Sequence, residues 1–593
     1  MYREQVETAD AELLLLARKN NLFALYRLLT FGGFILICVA VLNYFSWYAL
    51  IPFTIFLFVF RAVLRKHDKV KARIQYLTLL RGINALELQG LRGDHSGFST
   101  GAEFINAAHP YTSDLDIFGA NSLFQFLDRT TSKRSAALLA SWLKEAAADS
   151  IIEDRQLAVK ELDPMIRWRQ NFQIRGQSHP GSAKELDSFF TWLAGGTDLQ
   201  VGAVLARVIY VLPVLLLASL VYISFYYHPG VPVFILLVQI VLVRLYSDRA
   251  ETLHQQISRF AAIILAYSGL IRSVEDETFQ SPKLSALRAV ITKTTGGKSA
   301  SLSLKLLSGF LNKFDIREIP VFHVVLNYLF FWDLRQMIGL AAWKKANREF
   351  IPGWIDAISE FEVLCSLGNC SYNGPDWCFP SLTPAYFQLR ARDAAHPLLL
   401  RSKRISNSLE IDGAGKVVLI TGSNMSGKST FLRTLGVNTV LAMTGAPVCA
   451  AEFTWSNCQV YTSLRVQDSL SEGASSFYAE LKRLETLITM SRANKPVFFL
   501  LDEILRGTNS VDRYIGSQAL IRQFIKNGTS GILASHDLGL ADLNDTLPDM
   551  VNFSFDVQVE GTELFFDYTL HPGRCTSLNA SILMKKIGID LED

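Results

Sequence analysis

At 593 residues and a formal net charge of +3, the chain is too long for one hydrophobic core. It is also too nearly neutral for a protein that grips nucleic acid with its whole surface, so any basic face must be local. Half the residues are hydrophobic and mean hydropathy is positive, which is high for a water-soluble chain and points to membrane segments.

The N-terminal stretch MYREQVETADAELLLLARKNN is acidic and amphipathic, and the apolar run after it is too long for a signal-peptide core, so no cleavable signal is expected. No charged residue lies between Arg27 and Arg61, and the run breaks at Asn43–Tyr48 into two apolar halves. A second such run lies between Arg207 and Arg244 and breaks at His228–Pro232. A span needs about 20 residues at 1.5 Å each, so each run reads as a transmembrane helical hairpin if its flanks help. Arg27 and Arg61 can snorkel, and Trp47, Tyr48, Tyr226 and Tyr227 suit the interface at the turns. Buried core helices or shallow re-entrant hairpins are the alternatives.

Flanking charge gives the topology. Arg61, Arg65, Lys66, Lys69, Lys71 and Arg73 follow the first hairpin, Arg244 and Arg249 the second, and the turns carry no Lys or Arg. Both hairpins therefore start and end in the cytoplasm, which places the remaining mass on the cytoplasmic face of the cell membrane. The basic cluster also suits anionic headgroups, although a topology signal accounts for it.

Residues 250–350 read as helical from the spacing of apolar residues. ITKTTGGKSASLSLK reads as a flexible loop carrying Lys293, Lys298 and Lys305, either a solvated linker or a thin DNA-backbone patch. Arg335–Phe350 reads as a helix with one solvated charged face. Cys365, Cys370 and Cys378 are the only cluster among seven cysteines, and their spacing matches no zinc pattern; they read as buried or idle thiols in a reducing compartment.

The strand-like Val417–Thr421 runs into Gly422-x4-Gly427-Lys428-Ser429, the P-loop pattern with a helix to follow. The glycines let successive N–H groups face phosphates, and the helix adds its positive dipole end. Lys428 reaches the β- and γ-phosphates of ATP, and the Ser429 hydroxyl is a ligand for Mg²⁺. A second apolar strand, Val497–Leu501, ends in Asp502-Glu503, with Asp502 on the magnesium and Glu503 polarising the attacking water. A third strand ends in His536, placed to sense the γ-phosphate or that water. This order predicts a doubly wound, mostly parallel α/β sheet with the site at the strand C-termini. It follows an all-α region interrupted by the hairpins. The expected division is 1–75 (N-terminal helix and hairpin 1), 76–200 (linker and first part of the helical core), 201–248 (hairpin 2), 249–385 (helical lever and core) and 386–593 (ATPase).

Gly422-Ser-Asn-Met-Ser-Gly-Lys-Ser-Thr430 with FLRTLGVNTVLAMTGAPVCA after it resembles the ATPase domain of MutS-type mismatch-repair proteins. So do SLSEGASSFYAEL at Ser469–Leu481, DEILRGTNSVD, ASHD, HPLL at His396–Leu399 and the tail PGRCTSLNASILMKKIGI. Leu115–Leu143 and IIEDRQLAVKELD resemble the start of that family's core. The resemblance implies nucleotide contacts from Gly422, Ser423, Asn424, Met425, Ser426, Gly427, Lys428, Ser429 and Thr430. It implies magnesium on Ser429 and Asp502, and Glu503 and His536 acting on water. It further implies that Ser475 and Ser476 reach the γ-phosphate held by a second copy, which makes a homodimer with composite ATP sites.

Four positions depart from the family pattern: Ser423 for Pro, Ser426 for Gly, and Leu505 and Arg513 each for Gly. Nothing resembles the N-terminal mismatch-reading domain, whose aromatic wedge would bend DNA, and no nuclease domain is expected after residue 589. Two functions stay open. One is a membrane-anchored ATPase controlling DNA binding as a dimeric clamp; the other uses the same engine to move a protein or membrane partner without DNA. An ABC-type transporter half is not favoured, since four spans are few and Ser469–Leu481 is not the transporter signature.

Overall fold

The computed structural model describes residues 1–43, 50–178, 183–196, 203–226, 229–293, 299–423, 425–465, 476–493, 496–560 and 563–575. The turn residues Trp47, Tyr48, Tyr227 and His228, as well as Lys298 and the tail from residue 576, lie outside them.

Two long helices, Tyr2–Asn43 and Leu50–Gly90, run antiparallel. Arg73 pairs with Glu12 at 2.8 Å, Arg81 with Asp10 at 2.5 Å, and Phe34 stacks on Phe56 at 5.2 Å. The second helix has 41 residues, hence about 60 Å of length at 1.5 Å per residue. Its charged half stands beyond the apolar tip and meets the core at its far end. There the buried Glu87 pairs with Arg129 at 2.5 Å, and Tyr2 donates to Asn373 at 2.9 Å. The second hairpin comprises helices Ala203–Tyr226 and Gly230–Ile257. Three helical stretches among the described residues are long and apolar enough to cross a membrane: Tyr2–Val39, Val204–Tyr222 and Gly230–Glu275. Their apolar side chains stay largely uncovered, Leu36 at 72% and Phe234 at 68% exposure.

Between and after the hairpins lies a helical core organised on the 23-residue helix Ile351–Asn373, which is buried along most of its length. Glu362, at its middle, accepts hydrogen bonds from Thr131 and from Ser132 at 3.1 Å, and burial pushes its carboxyl up from the ordinary value. The expected solvated face on Arg335–Phe350 is corrected in part. The helix runs Trp332–Asn347, and Lys344 is buried, donating to the Trp192 carbonyl at 2.5 Å beneath the Trp192 ring. Its charge is met by carbonyl oxygens and a π face of a neighbouring helix, which spacing along one segment cannot reveal. The expected loop over residues 291–305 is shorter than read. Ser299 caps a helix at Ala300–Phe314, accepting from the Leu302 N–H at 3.2 Å, so Lys305 is helical.

Two sheets follow. The smaller, absent from the sequence reading, has the order β1 (Ser381–Leu382), β5 (Glu452–Trp455), β2 (Gln388–Ala394), β3 (Asn407–Asp412). Burial alternates strictly along β3, as expected where one face is wet. The larger sheet has the order β10 (Glu563–Pro572), β9 (Met550–Glu560), β4 (Val417–Gly422), β8 (Ser530–Ser535), β7 (Val497–Asp502), β6 (Gln459–Ser463). It is parallel except for the β9–β10 hairpin at its edge. Every residue of β4, β7 and β8 is buried. Val418, Ile420, Phe498 and Leu500 pack with Leu432 and Leu435 of the helix Lys428–Thr444. Val417, Leu419, Phe499 and Leu501 pack on the other side with Leu484, Leu487, Leu520 and Phe524 of the helices Ser476–Arg492 and Ser510–Lys526. Helices on both faces explain strands that are apolar at every position.

The segment before the first core helices plugs into this sheet domain. Asp114 is fully buried and accepts from Thr462 at 2.8 Å and Arg483 at 3.0 Å; Asp116 pairs with Arg465 at 2.7 Å and Arg433 at 3.2 Å. Gly436 gives close packing there: a Cβ would sit 2.7 Å from the Leu115 side chain, which would have to shift.

Candidate functional site

β4, β7 and β8 are adjacent and in register, with Thr421 opposite Ser535 and Asp502 opposite Ala534. Parallel pairing thus delivers their C-terminal residues to one edge, where three loops meet. After β4 the chain turns through Gly422 (φ +154°) and Gly427 (φ +109°) into the helix that begins at Lys428. A Cβ on Gly422 would lie 2.7 Å from the Phe555 carbonyl oxygen, so only glycine fits. Met425 takes φ +70° at the tip and is exposed, while Ser426 is buried with its hydroxyl unpaired among the described residues. Ser423 lies at the loop mouth, and Thr430 is exposed in the first helical turn. Asn424 lies outside the described residues, as does Ser475; Ser476 opens the helix Ser476–Arg492, with its side chain not described.

Lys428 is buried, and its Nζ donates to the carbonyls of Gly422 at 2.7 Å and Ser423 at 2.8 Å. Burial lowers its ammonium from the ordinary lysine value, with the Glu503 and Asp502 charges opposing that shift. Ser429 donates its hydroxyl proton to the Asp502 carboxylate. Burial raises the Asp502 carboxyl above the usual aspartate value, opposed by that hydrogen bond.

Glu503 holds φ +50°, and its N–H donates to the Ala534 carbonyl at 2.9 Å, which pins the start of the turn to β8. Its carboxylate lies 3.4 Å from His536 Nδ1 and 3.3 Å from Arg506 Nε. Arg506 also donates to the carbonyls of Glu503 at 2.9 Å and Asp502 at 3.1 Å. Glu480, inside the Ser469–Leu481 segment on the helix Ser476–Arg492, accepts from the N–H groups of Leu505 and Arg506. Leu505 sits at φ +60°, the conformation a glycine adopts without strain, at the position where the family pattern has one. Arg506 and Glu480 escaped the reading of single residues, although both fall inside segments that carry the resemblance.

The structure thus brings together Gly422, Lys428, Ser429, Asp502, Glu503 and His536. The set fits a triphosphate with magnesium. Ser429 and Asp502 present two hard oxygen donors side by side, which suits Mg²⁺. Lys428 is a buried cation at a turn made of positive-φ residues, and the helix N-terminus behind it adds unpaired N–H groups.

Residues 418–585 match the family described as MutS domain V. The chain carries a MutS-type domain V. Among curated proteins, this chain is 31% identical over 232 residues to the DNA mismatch repair protein MutS of Thermotoga neapolitana, covering 39% of this chain and 28% of that protein. It is 30% identical over 250 residues to that of Shouchella clausii, covering 40% and 27%, and 32% identical over 190 residues to that of Oleidesulfovibrio alaskensis, covering 31% and 21%. Each match spans less than a third of the relative's length. The larger sheet from Val418 onward falls within the matched region, and with it Lys428, Asp502, Glu503 and His536.

Proposed function

We propose that this chain is a membrane-anchored MutS-like ATPase that binds and hydrolyses ATP to control DNA binding as a dimeric clamp. The observation that carries the reading is the meeting of Lys428, the Ser429–Asp502 pair and the Glu503–His536 pair at neighbouring strand ends of a domain V. Lys428 balances phosphate charge, using the one ammonium proton that the Gly422 and Ser423 carbonyls leave free. Ser429 and Asp502 would hold magnesium, which supplies charge neutralisation at the β- and γ-phosphate oxygens when bound. Glu503 orients the attacking water and takes its proton; His536 and Arg506 hold that carboxylate in place from two sides. Gly422 to Thr430 cradle the phosphates. Ser475 and Ser476 complete the site of a second copy, which makes the homodimer the active form.

The two hairpins anchor this engine in the cell membrane with domain V in the cytoplasm, on the charge asymmetry of their flanks and the exposure of their apolar side chains. The functional division is residues 1–75, 76–200, 201–248, 249–385 and 386–593, as anchor, core, anchor, lever and ATPase.

DNA engagement is tested with the full chain in nanodiscs, titrated with homoduplex, mismatched and branched DNA, with and without Mg-ATP, across a salt series. Binding that changes with ATP and weakens steeply with salt supports the clamp. Salt-independent or absent binding to all three DNAs contradicts it and leaves the ATPase acting on a protein or membrane partner.

A further inference from the structure

The helix Pro320–Phe330 (PVFHVVLNYLF) carries no Lys, Arg, Asp or Glu, and five apolar residues at or beside it are uncovered. They are Ile319, Val321, Phe322, Val324 and Val325, with Val321 at 74% exposure. Contiguous uncovered apolar surface of this kind marks a site that something apolar occupies. The opposite side of the helix is held firmly. Asn327 donates to the buried Asp333 at 3.1 Å, His323 Nε2 lies 2.9 Å from the same carboxylate, and Arg317 donates to it at 2.7 Å. Arg317 also reaches Glu251 at 2.8 Å on the second hairpin's long helix.

Where the helix sits decides what covers it. Tyr328 and the fully buried Phe331 pack with Leu205, Ile209 and Leu212 of one hairpin helix and Leu242, Val243 and Tyr246 of the other. Those are the hairpin's ends nearest Arg207 and Arg244. Arg335 marks the same level, donating to the Ile209 carbonyl at 3.2 Å with its guanidinium over the Tyr210 ring. Val204, Val211, Val241 and Leu245, in the same stretches of the two hairpin helices, are uncovered as well. Eleven residues make about 16 Å of helix, half of the roughly 30 Å hydrocarbon core, so it cannot span.

We propose that Pro320–Phe330 is a third lipid contact, seated in the cytoplasmic leaflet beside the second hairpin, with acyl chains against Val321, Phe322, Val324 and Val325. This rests on the membrane reading of that hairpin. The exposed apolar face goes to lipid, as in interfacial helices, while the polar side closes on Asp333. The helix is thereby fixed both to the hairpin and to the core helix Trp332–Asn347, so lipid holds the helical core through a contact outside the two hairpins.

The test uses the full chain in phosphatidylcholine–phosphatidylglycerol nanodiscs, with a benzophenone amino acid replacing Phe322, Val214 or Ile405 in separate variants. All three positions are exposed, so folding is not at stake. After irradiation, lipid adducts at positions 322 and 214 and none at 405 are the expected result. Adducts at 214 without any at 322 overturn the inference and leave the membrane reading standing. Cross-links from 322 only to protein, of the same or another copy, also overturn it. No lipid adduct at either 214 or 322 defeats the membrane reading, and this inference with it.

Discussion

The central strands of domain V and the apolar stretches of the two hairpins are both made mostly of apolar residues, yet their side chains meet opposite surroundings. In β4, β7 and β8 every residue is buried, because helices cover both faces of the sheet. In the hairpins, Leu36, Phe58, Val204 and Phe234 stand open. Apolar content alone therefore does not say what solvent a segment has; what covers it does. The fully covered strands hold their ends rigidly enough to place charged side chains within 3.4 Å of one another, as His536 and Glu503 show.

Four substitutions, in three comparisons, sharpen this contrast. The largest effect is expected from Lys428→Ala at the end of the buried strand, which removes the loop's buried cation. ATP turnover should fall by at least about a hundredfold, the scale of losing one preorganised electrostatic partner, measured as steady-state phosphate release. Turnover within a few-fold of the parent would show that the strand ends do not form the phosphate site.

The second substitutes within the contrast itself. Leu533 in β8 is buried, and Leu533→Ala should cost about 2–5 kcal/mol of domain stability in denaturant unfolding. Val214 is exposed, and Val214→Arg should cost about 2.5–3.5 kcal/mol of insertion if lipid covers it, against about 0.5 kcal/mol or less on a wet surface. Membrane insertion measured by glycosylation-site mapping separates these outcomes.

The third concerns the buried Glu362. Burial raises its folded-state pKa above the unfolded value, so the folded state holds the proton more tightly. Its contribution is then fully present below the unfolded pKa and is lost as pH rises through the folded one. Glu362→Gln, which keeps the shape without the charge, should gain on the parent as pH rises above the ordinary glutamate range. Parallel stability curves for the two proteins would show that burial does not raise the Glu362 carboxyl.

Much of the candidate site was legible because its chemistry lies in short segments. A glycine-spaced turn after a β-branched strand, a carboxylate pair after an apolar one and a histidine after a third are each written within about ten residues. The parallel sheet followed from their order. Contacts that join distant segments were not legible in this way: Glu480 capping the turn at Leu505, Asp114 buried against Arg483. The four-stranded sheet was missed because two of its strands have two and four residues, too short for a period to register. Lys344 was misread because its cover comes from another helix. The Pro320–Phe330 helix does not stand out in the sequence because a mostly apolar helix of eleven residues is ordinary in a core, and only its exposure sets it apart.

The central claim is that the ends of three buried strands form one magnesium–ATP site in which Glu503 acts on water. It is tested most directly by measuring Mg-ATP binding and turnover in parallel on the nanodisc-held full chain carrying Glu503→Gln, whose glutamine keeps the shape but cannot take a proton. The account predicts that binding stays within a few-fold of the parent while turnover falls by about a hundredfold or more. Turnover at the parent's rate with binding intact would contradict it.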